Sequence, residues 1–245
     1  MTDEPTEPTA SLPRARRVQI TRQAVSVGVA SGTYGISFGA LSVASGLSLL
    51  QTCALSVLLF SGGSQFAFVG IIASGGAGSA AVATSTLLGL RNGLYGLQLT
   101  RLLGLTGVRR LIGAQITIDE STAVAIAQPE VAGSRLGFWL TGASVFVLWN
   151  LTTLGGALLG SAVGDPKRFG LDAAASSAFL ALLWPRLKTG EAQAVAVSAA
   201  FVAIVLSPFT PAGVPVLAAG LTAVAVGWGR APREGRPARR VEEAG

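Results

Sequence analysis

Arg91 is the residue of this sequence that is best placed for chemistry, because it is the only charged side chain between residues 23 and 100. An isolated charge inside an apolar stretch is a functional candidate by default. Its guanidinium group can clamp a substrate carboxylate through two parallel hydrogen bonds. The alternatives are a position near a helix end, from which the charge reaches water, and a purely structural ion pair.

Three carboxylates lie close to apolar segments: Asp119, Glu120 and Asp172. A carboxylate that faces a cavity can accept a substrate ammonium group, balance Arg91 or carry a proton. The alternative for Asp119 is a structural role at a helix start, where the helix dipole stabilises an acid. Asp172 follows a predicted loop, and capping a helix is its alternative role.

An apolar segment at 50–74 is interrupted by the sequence SGGS at 61–64. Glycine pairs weaken a helix, and the freed backbone groups must then face protein or a water-filled cavity. Transporters build substrate sites at such breaks. Ser61, Ser64 and Gln65 supply hydrogen-bonding groups there, although close helix packing is an alternative explanation for small residues at these positions.

The elements that carry these residues have the composition of a membrane protein. Half of the 245 residues are hydrophobic and 12% are charged, against about 25% charged in a typical soluble domain. Residues 136–164 and 192–229 carry no charge at all. A charge at mid-bilayer costs about 2.5–3.5 kcal/mol even on a lenient scale, so helices in lipid show this pattern. We therefore predict an all-α, polytopic bundle of transmembrane helices.

Charge distribution predicts how the chain crosses the membrane. A span needs about 20 apolar residues. The candidate segments are 24–45, 50–74, 78–99, 136–163, 171–187, 191–208 and 212–229. An even number of crossings within 24–99 places 15 of the 18 Lys and Arg residues on one side, and the positive-inside rule makes that side cytoplasmic. We predict about six to seven membrane segments, both termini cytoplasmic, and a broken or re-entrant segment near 50–74.

The predicted organisation has a central domain between two polar tails. In order, it comprises a disordered cytoplasmic tail at 1–20, a transporter domain at 21–229 and a disordered basic tail at 230–245. A weak similarity relates 24–99 to 136–229 as a parallel repeat, with 100–135 as connector. Chance matching of Ala, Gly and Leu is the alternative.

Several classes of function are disfavoured. The chain has no histidine, which removes the commonest metal ligand and general base. It has no phosphate-binding loop and no nucleophile elbow. Cys53 is the single cysteine and lies in an apolar run. We expect neither an enzyme nor a nucleic-acid-binding protein, and we expect no cofactor or metal.

The ordered set of motifs resembles the AzlC family, the large subunit of a two-component branched-chain amino acid exporter. The matching pieces are GISFG at 35–39, GL at 46–47, Ser61 with QFA at 65–67, LR at 90–91, LYG at 94–96, Asp119-Glu120, Trp149, GLD at 170–172 and FLALL at 179–183. The resemblance extends over about 25–228. The family often has Pro at Ser37, Asn at Gly89 and His at Asn92, so these departures bear on substrate choice.

The resemblance implies export of neutral amino acids such as valine, leucine, isoleucine or methionine across the plasma membrane, with a small hydrophobic AzlD-like partner subunit. We expect the proton gradient to drive it. The predicted substrate-binding residues are Phe38, Gly39, Ser61, Ser64, Gln65, Arg91, Asn92 and Tyr95. The predicted proton-coupling residues are Asp119, Glu120 and Asp172. The alternatives are a non-transporting scaffold or assembly subunit and an exporter of another small metabolite.

Overall fold

The computed structural model describes residues 12–162, 180, 183–184, 187–211 and 214–230. Within these residues the secondary structure is helical, which confirms the predicted all-α class for this part of the chain. The helices are α1 (Arg14–Ala44), α2 (Leu49–Leu58), α3 (Gly62–Ala73), α4 (Gly78–Leu103), α5 (Gly107–Gln115), α6 (Asp119–Ile126), α7 (Val131–Ala162), α8 (Gly190–Leu206) and α9 (Val214–Arg230).

Helices α1 and α7 pack side by side and run in the same direction. Near the start of the contact, a Cβ placed on Gly28 would lie 2.6 Å from the Cβ of Ser144. Near its end, a Cβ placed on Gly160 would lie 3.0 Å from the Cα of Ala40. Residue numbers therefore rise together along the two helices, so both helices begin at one end of the bundle and finish at the other.

Glycines let the backbones of α1 and α7 touch. A Cβ on Gly39 would collide with a backbone carbonyl of α7, and one on Gly156 would collide with the carbonyl of Ile36. The hydroxyl of Thr152 donates a hydrogen bond of 2.6 Å to the carbonyl of Gly32. Small residues that permit such approach are the usual basis of helix packing in membranes.

A tight turn leads from α1 into α2. Gly46 adopts a positive φ of 92°, which favours glycine. The side chains of Ser48 and Gln51 then close a reciprocal capping box at the start of α2. Because only Ser45–Ser48 separate the two helices, α2 begins at the end of the bundle where α1 finishes.

The predicted break within 50–74 is present, but it lies slightly earlier than the glycine pair. Helix α2 ends at Leu58, and α3 begins at Gly62. Leu59 and Ser61 hold the extended or irregular backbone of the break. Gly62 and Gly63 therefore form the first turn of α3 rather than the interruption itself.

The break lies halfway along the bundle. The ring of Phe60 packs on Phe146 of α7 with centroids 5.0 Å apart. A Cβ on Gly62 would lie 3.2 Å from the ring of Trp149, which is near the middle of α7. Helix α3 then packs along α4 and leads into it through residues 74–77.

Helix α4 runs opposite to α7. Leu99 and Leu103, near its end, pack with Phe138 near the start of α7. A Cβ on Gly104, the left-handed cap of α4, would lie 3.3 Å from the guanidinium group of Arg135. Helix α4 therefore starts at the end of the bundle where α1 finishes. The α2–α3 hairpin accordingly enters from that end, reaches the middle and returns.

Residues 100–135, predicted as a connector, form a second half-length hairpin from the opposite end. Helix α5 follows α4 and leads to Ile116, which packs on Gly142 of α7. Helix α6 then turns back, and Val124 packs on Gly137 near the start of α7. The α5–α6 hairpin therefore also reaches the middle and returns, so two hairpins from opposite ends meet at mid-bundle.

One end of the bundle holds most of the positive charge, and we call it the arginine-rich end. In residues 12–162 this end, where α1 and α7 begin, carries every arginine except Arg91. These are Arg14, Arg16, Arg17, Arg22, Arg101, Arg109, Arg110 and Arg135. Arg16 bonds to Gln128 at 2.9 Å and lies 3.5 Å from the carboxylate of Glu130. These contacts stabilise the first turns of α1. Because α1 begins at Arg14, residues 14–20 of the predicted disordered tail are helical.

The C-terminal part of the chain forms a separate compact unit, and its described elements are α8 and α9, which pack on each other. Both helices have 17 residues and match the predicted segments 191–208 and 212–229. The predicted segment 171–187 lies almost wholly outside the described residues, as does the tail from 231 onward. The parallel repeat, which needs these regions, stays a prediction.

Among the described residues, α1 and α7 are the helices that are long and apolar enough to cross a membrane. The criterion is length and composition, which a core helix of a soluble protein also meets. Large apolar side chains also point outward from the shorter helices. Examples are Leu50, Leu58, Leu94 and Leu97, each more than 60% exposed.

Candidate functional site

Two of the charges that the sequence analysis selected, Arg91 and Asp119, meet at mid-bundle. The Nη1 atom of Arg91 lies 2.9 Å from the Oδ2 atom of Asp119, and the two side chains keep 31% and 23% of their exposure. Arg91 lies in the middle of α4, away from both helix ends. The pair therefore joins α4 to the tip of the α5–α6 hairpin through a short, charge-assisted contact that solvent still reaches.

Asp119 contacts Arg91 and also lies in the first turn of its own helix, but it is not the residue that caps that helix. Ile118 occupies the cap position of α6, and its backbone N–H donates to the hydroxyl of Ser121 at 3.1 Å. Asp119 is the first residue of α6, where the helix dipole favours a negative charge. Its carboxylate is thus held by both a helix N-terminus and a guanidinium group.

Glu120 has a different partner. The hydroxyl of Ser31 on α1 donates a hydrogen bond of 3.1 Å to its Oε1 atom. The two adjacent acids therefore face different neighbours, one a charged side chain and the other a neutral hydroxyl. This difference gives the two carboxylates distinct roles to test.

The first turn of α3 lies directly beside Arg91. A Cβ on Gly63 would lie 3.0 Å from the Nη2 atom of Arg91, so glycine lets the guanidinium group lie here without being displaced. The hydroxyls of Ser61 and Ser64 are buried here, and each lacks a hydrogen-bond partner among the described residues. A helix N-terminus with free hydroxyls and a guanidinium group has the features of a carboxylate-binding site.

Two glutamine side chains hold the hairpin tips in place. Gln65 is fully buried, and its Nε2 atom donates to the carbonyls of Leu55 and Ser56 at 3.4 and 3.1 Å. These carbonyls belong to the last turns of α2, where helical carbonyls begin to lack partners, although that of Leu55 also accepts from the backbone N–H of Leu59. Across the centre, the Nε2 atom of Gln115 donates to the carbonyl of Val57 at 2.7 Å. The second bond ties one tip to the other.

An aromatic cluster backs the same region. Phe38 of α1 stacks on Trp149 of α7 with ring centroids 6.1 Å apart. Phe66 of α3 meets both rings edge-on, at 5.7 and 6.3 Å. The indole N–H of Trp149 is buried, and none of the described residues accepts its hydrogen bond. The cluster fixes the start of α3 against α1 and α7.

The helix ends at mid-bundle supply opposite partial charges. Helices α3 and α6 begin there, and α2 and α5 end there. Backbone N–H groups at a helix start favour an anion, while carbonyls at a helix end favour a cation. One centre therefore offers complementary groups for both ends of a zwitterion.

The predicted site residues lie in several places. Ser61, Ser64, Arg91 and Asp119 converge at the centre. The sequence also predicted Gln65, which braces the α2–α3 break, and Phe38, Gly39 and Glu120, which contact neighbouring helices as described above. Asn92 and Tyr95 follow Arg91 on α4, and the Oδ1 atom of Asn92 is buried without a hydrogen-bond partner among the described residues. Asp172 lies outside the described residues.

Sequence reasoning did not select Ser31, Ser56 or Gln115. Ser31 and Gln115 act through partners 89 and 58 residues away in the chain, and no local pattern marks such contacts. Trp149 was noted as part of the family motif, but the sequence does not show that it packs against the first turn of α3.

Comparison with known proteins identifies one family. A family model described as AzlC protein matches residues 26–163, which is more than half of the chain. The matched residues run from α1 to the end of α7 and include both hairpins. No curated protein and no solved structure matches this chain.

Proposed function

The chain belongs to the AzlC protein family, and on that premise we propose that it is the larger subunit of a secondary transporter for amino acid export. Its proposed substrates are branched-chain or other neutral amino acids: valine, leucine, isoleucine and methionine. A small, hydrophobic AzlD-like membrane subunit is its proposed partner.

The family match and the apolar helices indicate a membrane protein. The proposed location is the plasma membrane, with the arginine-rich end in the cytoplasm, as the positive-inside rule requires. Helices α1, α4 and α7 would cross the membrane, while the α2–α3 and α5–α6 hairpins would enter it from opposite sides and return. Helices α8 and α9 would cross as well, and the six to seven segments and the cytoplasmic C-terminus stay predictions.

The single observation that carries the proposal is the Arg91–Asp119 ion pair at the junction of the two hairpins. Burying a charge pair within the membrane costs free energy, so a pair found there is expected to have a function. Because the pair is partly exposed, a ligand that reaches the centre can replace either partner.

The substrate carboxylate would bind at the first turn of α3. Arg91 would supply its guanidinium group, and the buried hydroxyls of Ser61 and Ser64 would donate to the same oxygens. These hydroxyls lack described partners, and an unmet buried hydroxyl costs about 1–3 kcal/mol. Binding a carboxylate would recover that cost.

The substrate ammonium group would face Asp119 and the carbonyls that end α2 and α5. When the carboxylate takes Arg91, Asp119 loses its cationic partner and becomes available for the ammonium group or for a proton. Asp119 would take up a proton from outside and release that proton to the cytoplasm. This cycle would couple amino acid export to proton entry. Each turnover would then move one amino acid outward and one proton inward.

The proposal is tested by efflux of labelled leucine and methionine from preloaded cells, with and without this chain and its candidate small partner. Efflux that requires both chains and collapses with an uncoupler supports a proton-driven exporter. Unchanged efflux for every neutral amino acid would reject the proposed substrates.

Replacing Arg91 tests the carboxylate clamp within that assay. Arg91→Gln removes the charge, so we expect efflux to fall at least tenfold while the amount of folded protein in the membrane stays within twofold. Arg91→Lys keeps the charge but loses the two-point contact, so an intermediate rate is expected. Normal efflux by Arg91→Gln would contradict the clamp.

A further inference from the structure

A cleft between α4 and α5 leads away from the centre toward the arginine-rich end. Its volume is about 340 Å³, near the lower limit of pockets that hold small ligands. Asn92, which follows Arg91 in the chain, and Thr117, two residues before Asp119, line its inner end. Arg110 lines it near the arginine-rich end. We call it the α4–α5 cleft.

The walls of the cleft suit an aliphatic group with one polar end. Leu99, Leu103 and Phe138 give an apolar wall, while the buried Oδ1 atom of Asn92 lies at the inner end without a described partner. A ligand whose charged groups occupy the centre can therefore lay an apolar side chain in the cleft. This arrangement distinguishes the cleft from a passage for inorganic ions.

Two glycines of α4 line the cleft without a packing reason. A Cβ on Gly93 or on Gly96 would meet no atom within 4 Å. The α1 glycines differ, since a Cβ on Gly32 would lie 2.8 Å from Leu148. A glycine inside a helix costs about 1 kcal/mol relative to alanine. In α1 tight packing offsets that cost, whereas in α4 the result is open space.

We infer that the α4–α5 cleft receives the aliphatic side chain of the substrate on the cytoplasmic side of the centre, and that Gly93 and Gly96 set the largest side chain it admits. This inference rests on the proposed function and adds to it a size limit and a route of entry. The ligand class is a neutral amino acid with an unbranched or γ-branched aliphatic side chain, such as methionine or leucine.

The test changes the free volume of the cleft and leaves the charged centre intact. Gly93→Leu and Gly96→Leu should lower efflux of leucine and methionine at least tenfold, while efflux of alanine or valine falls less than threefold. Gly155→Leu is the matched control, because Gly155 of α7 also has open space around its Cα and does not line the cleft. It should leave the ratio of leucine to alanine efflux unchanged.

A second readout does not depend on transport. In a Cys53→Ala background, Gly96→Cys should react with a water-soluble maleimide applied from the cytoplasmic side. Leucine at about 10 mM should slow that reaction severalfold, because a bound side chain covers the thiol. This variant keeps the test decisive if the leucine variants fail to accumulate. Gly155→Cys should show no protection by leucine.

The outcomes separate the two proposals. If the wild type exports no neutral amino acid, the proposed function fails, and this inference fails with it. If the wild type exports leucine but the cleft variants keep the wild-type selectivity, or leucine gives Gly96→Cys no protection, the inference alone is overturned. If the purified Gly93→Leu and Gly96→Leu variants lose the partner subunit, the cleft is instead a surface on which a helix of that subunit docks.

Discussion

At the residue scale, the two adjacent acids have separate partners, and this separation makes their roles distinguishable. Asp119 faces a guanidinium group, whereas Glu120 accepts a hydrogen bond from the hydroxyl of Ser31. A proton carrier must lose and regain its charge as the ligand comes and goes. The partner of Asp119 is the cationic group that we propose the substrate carboxylate occupies, whereas the partner of Glu120 is neutral.

Asp119→Asn should therefore uncouple transport from the proton gradient. The amide keeps a hydrogen bond to Arg91 but takes up no proton, so efflux down a leucine gradient should persist while its acceleration by an inward proton gradient disappears. The measurement is leucine efflux from proteoliposomes with and without an imposed pH difference. Glu120→Gln is the matched control and should keep that acceleration within threefold. A full response of Asp119→Asn to the gradient would assign the proton elsewhere.

The sequence identifies Arg91 and Asp119 separately but not as a pair. Arg91 stands out because its neighbours are apolar, and Asp119 stands out as one of two adjacent acids beside an apolar segment. Both signals are local. Their contact joins the middle of α4 to the start of α6 across 27 intervening positions, and no helical periodicity links them. The guanidinium group also lies beside Gly63, and this contact is visible only in three dimensions.

At the element scale, the two half-length hairpins form the site, and hydropathy alone does not predict where their helices end. Glycine pairs predict a break within 50–74, and a break is present. Its position at 59–61 reflects Gln65, which takes the carbonyls that end α2, and Trp149, which packs on Gly62. The α5–α6 hairpin escapes prediction because neither of its helices approaches the length of a span and because arginines flank it.

Because α1 packs on one face of α7, two neighbouring glycines of α7 have different surroundings. Gly156 touches the backbone of α1, whereas Gly155 has open space. Gly156→Ala should lower the midpoint of thermal unfolding by roughly 2–12 °C, because overpacking costs about 1–3 kcal/mol. Gly155→Ala should leave it unchanged or slightly raised, since alanine favours helix. The check is thermal unfolding of detergent-purified protein, and equal effects of the two variants would contradict the close contact.

At the scale of the whole molecule, the chain direction reverses between two similar units. Helix α1 runs away from the arginine-rich end and is followed by a hairpin that returns to the far end. Helix α4 runs toward the arginine-rich end and is followed by a hairpin that returns there. Inverted units of this kind frame the central sites of many transporters. The parallel repeat predicted between 24–99 and 136–229 pairs different segments of the chain and stays a prediction.

The topology predicts which loops each side of the membrane can reach. In a Cys53→Ala background, Thr106→Cys should react with an impermeant maleimide only from the cytoplasm, and Ala77→Cys only from outside. Both positions are exposed in turns between helices. Labelling of the two cysteines from the same side would mean that α4 does not cross, which would remove the basis for two opposed hairpins.

The parallel pairing of α1 with α7 also has a consequence for biosynthesis. Thr152 and Gly32, which form a hydrogen bond between these two helices, are 120 residues apart in the chain. At about 5–20 residues per second, α1 leaves the ribosome roughly 6–24 s before its partner does. During that interval its glycine face has no protein neighbour, so the nascent chain depends on the insertion machinery or a lipid sheath until α7 arrives. Truncation before α7 should therefore expose α1 to membrane quality control.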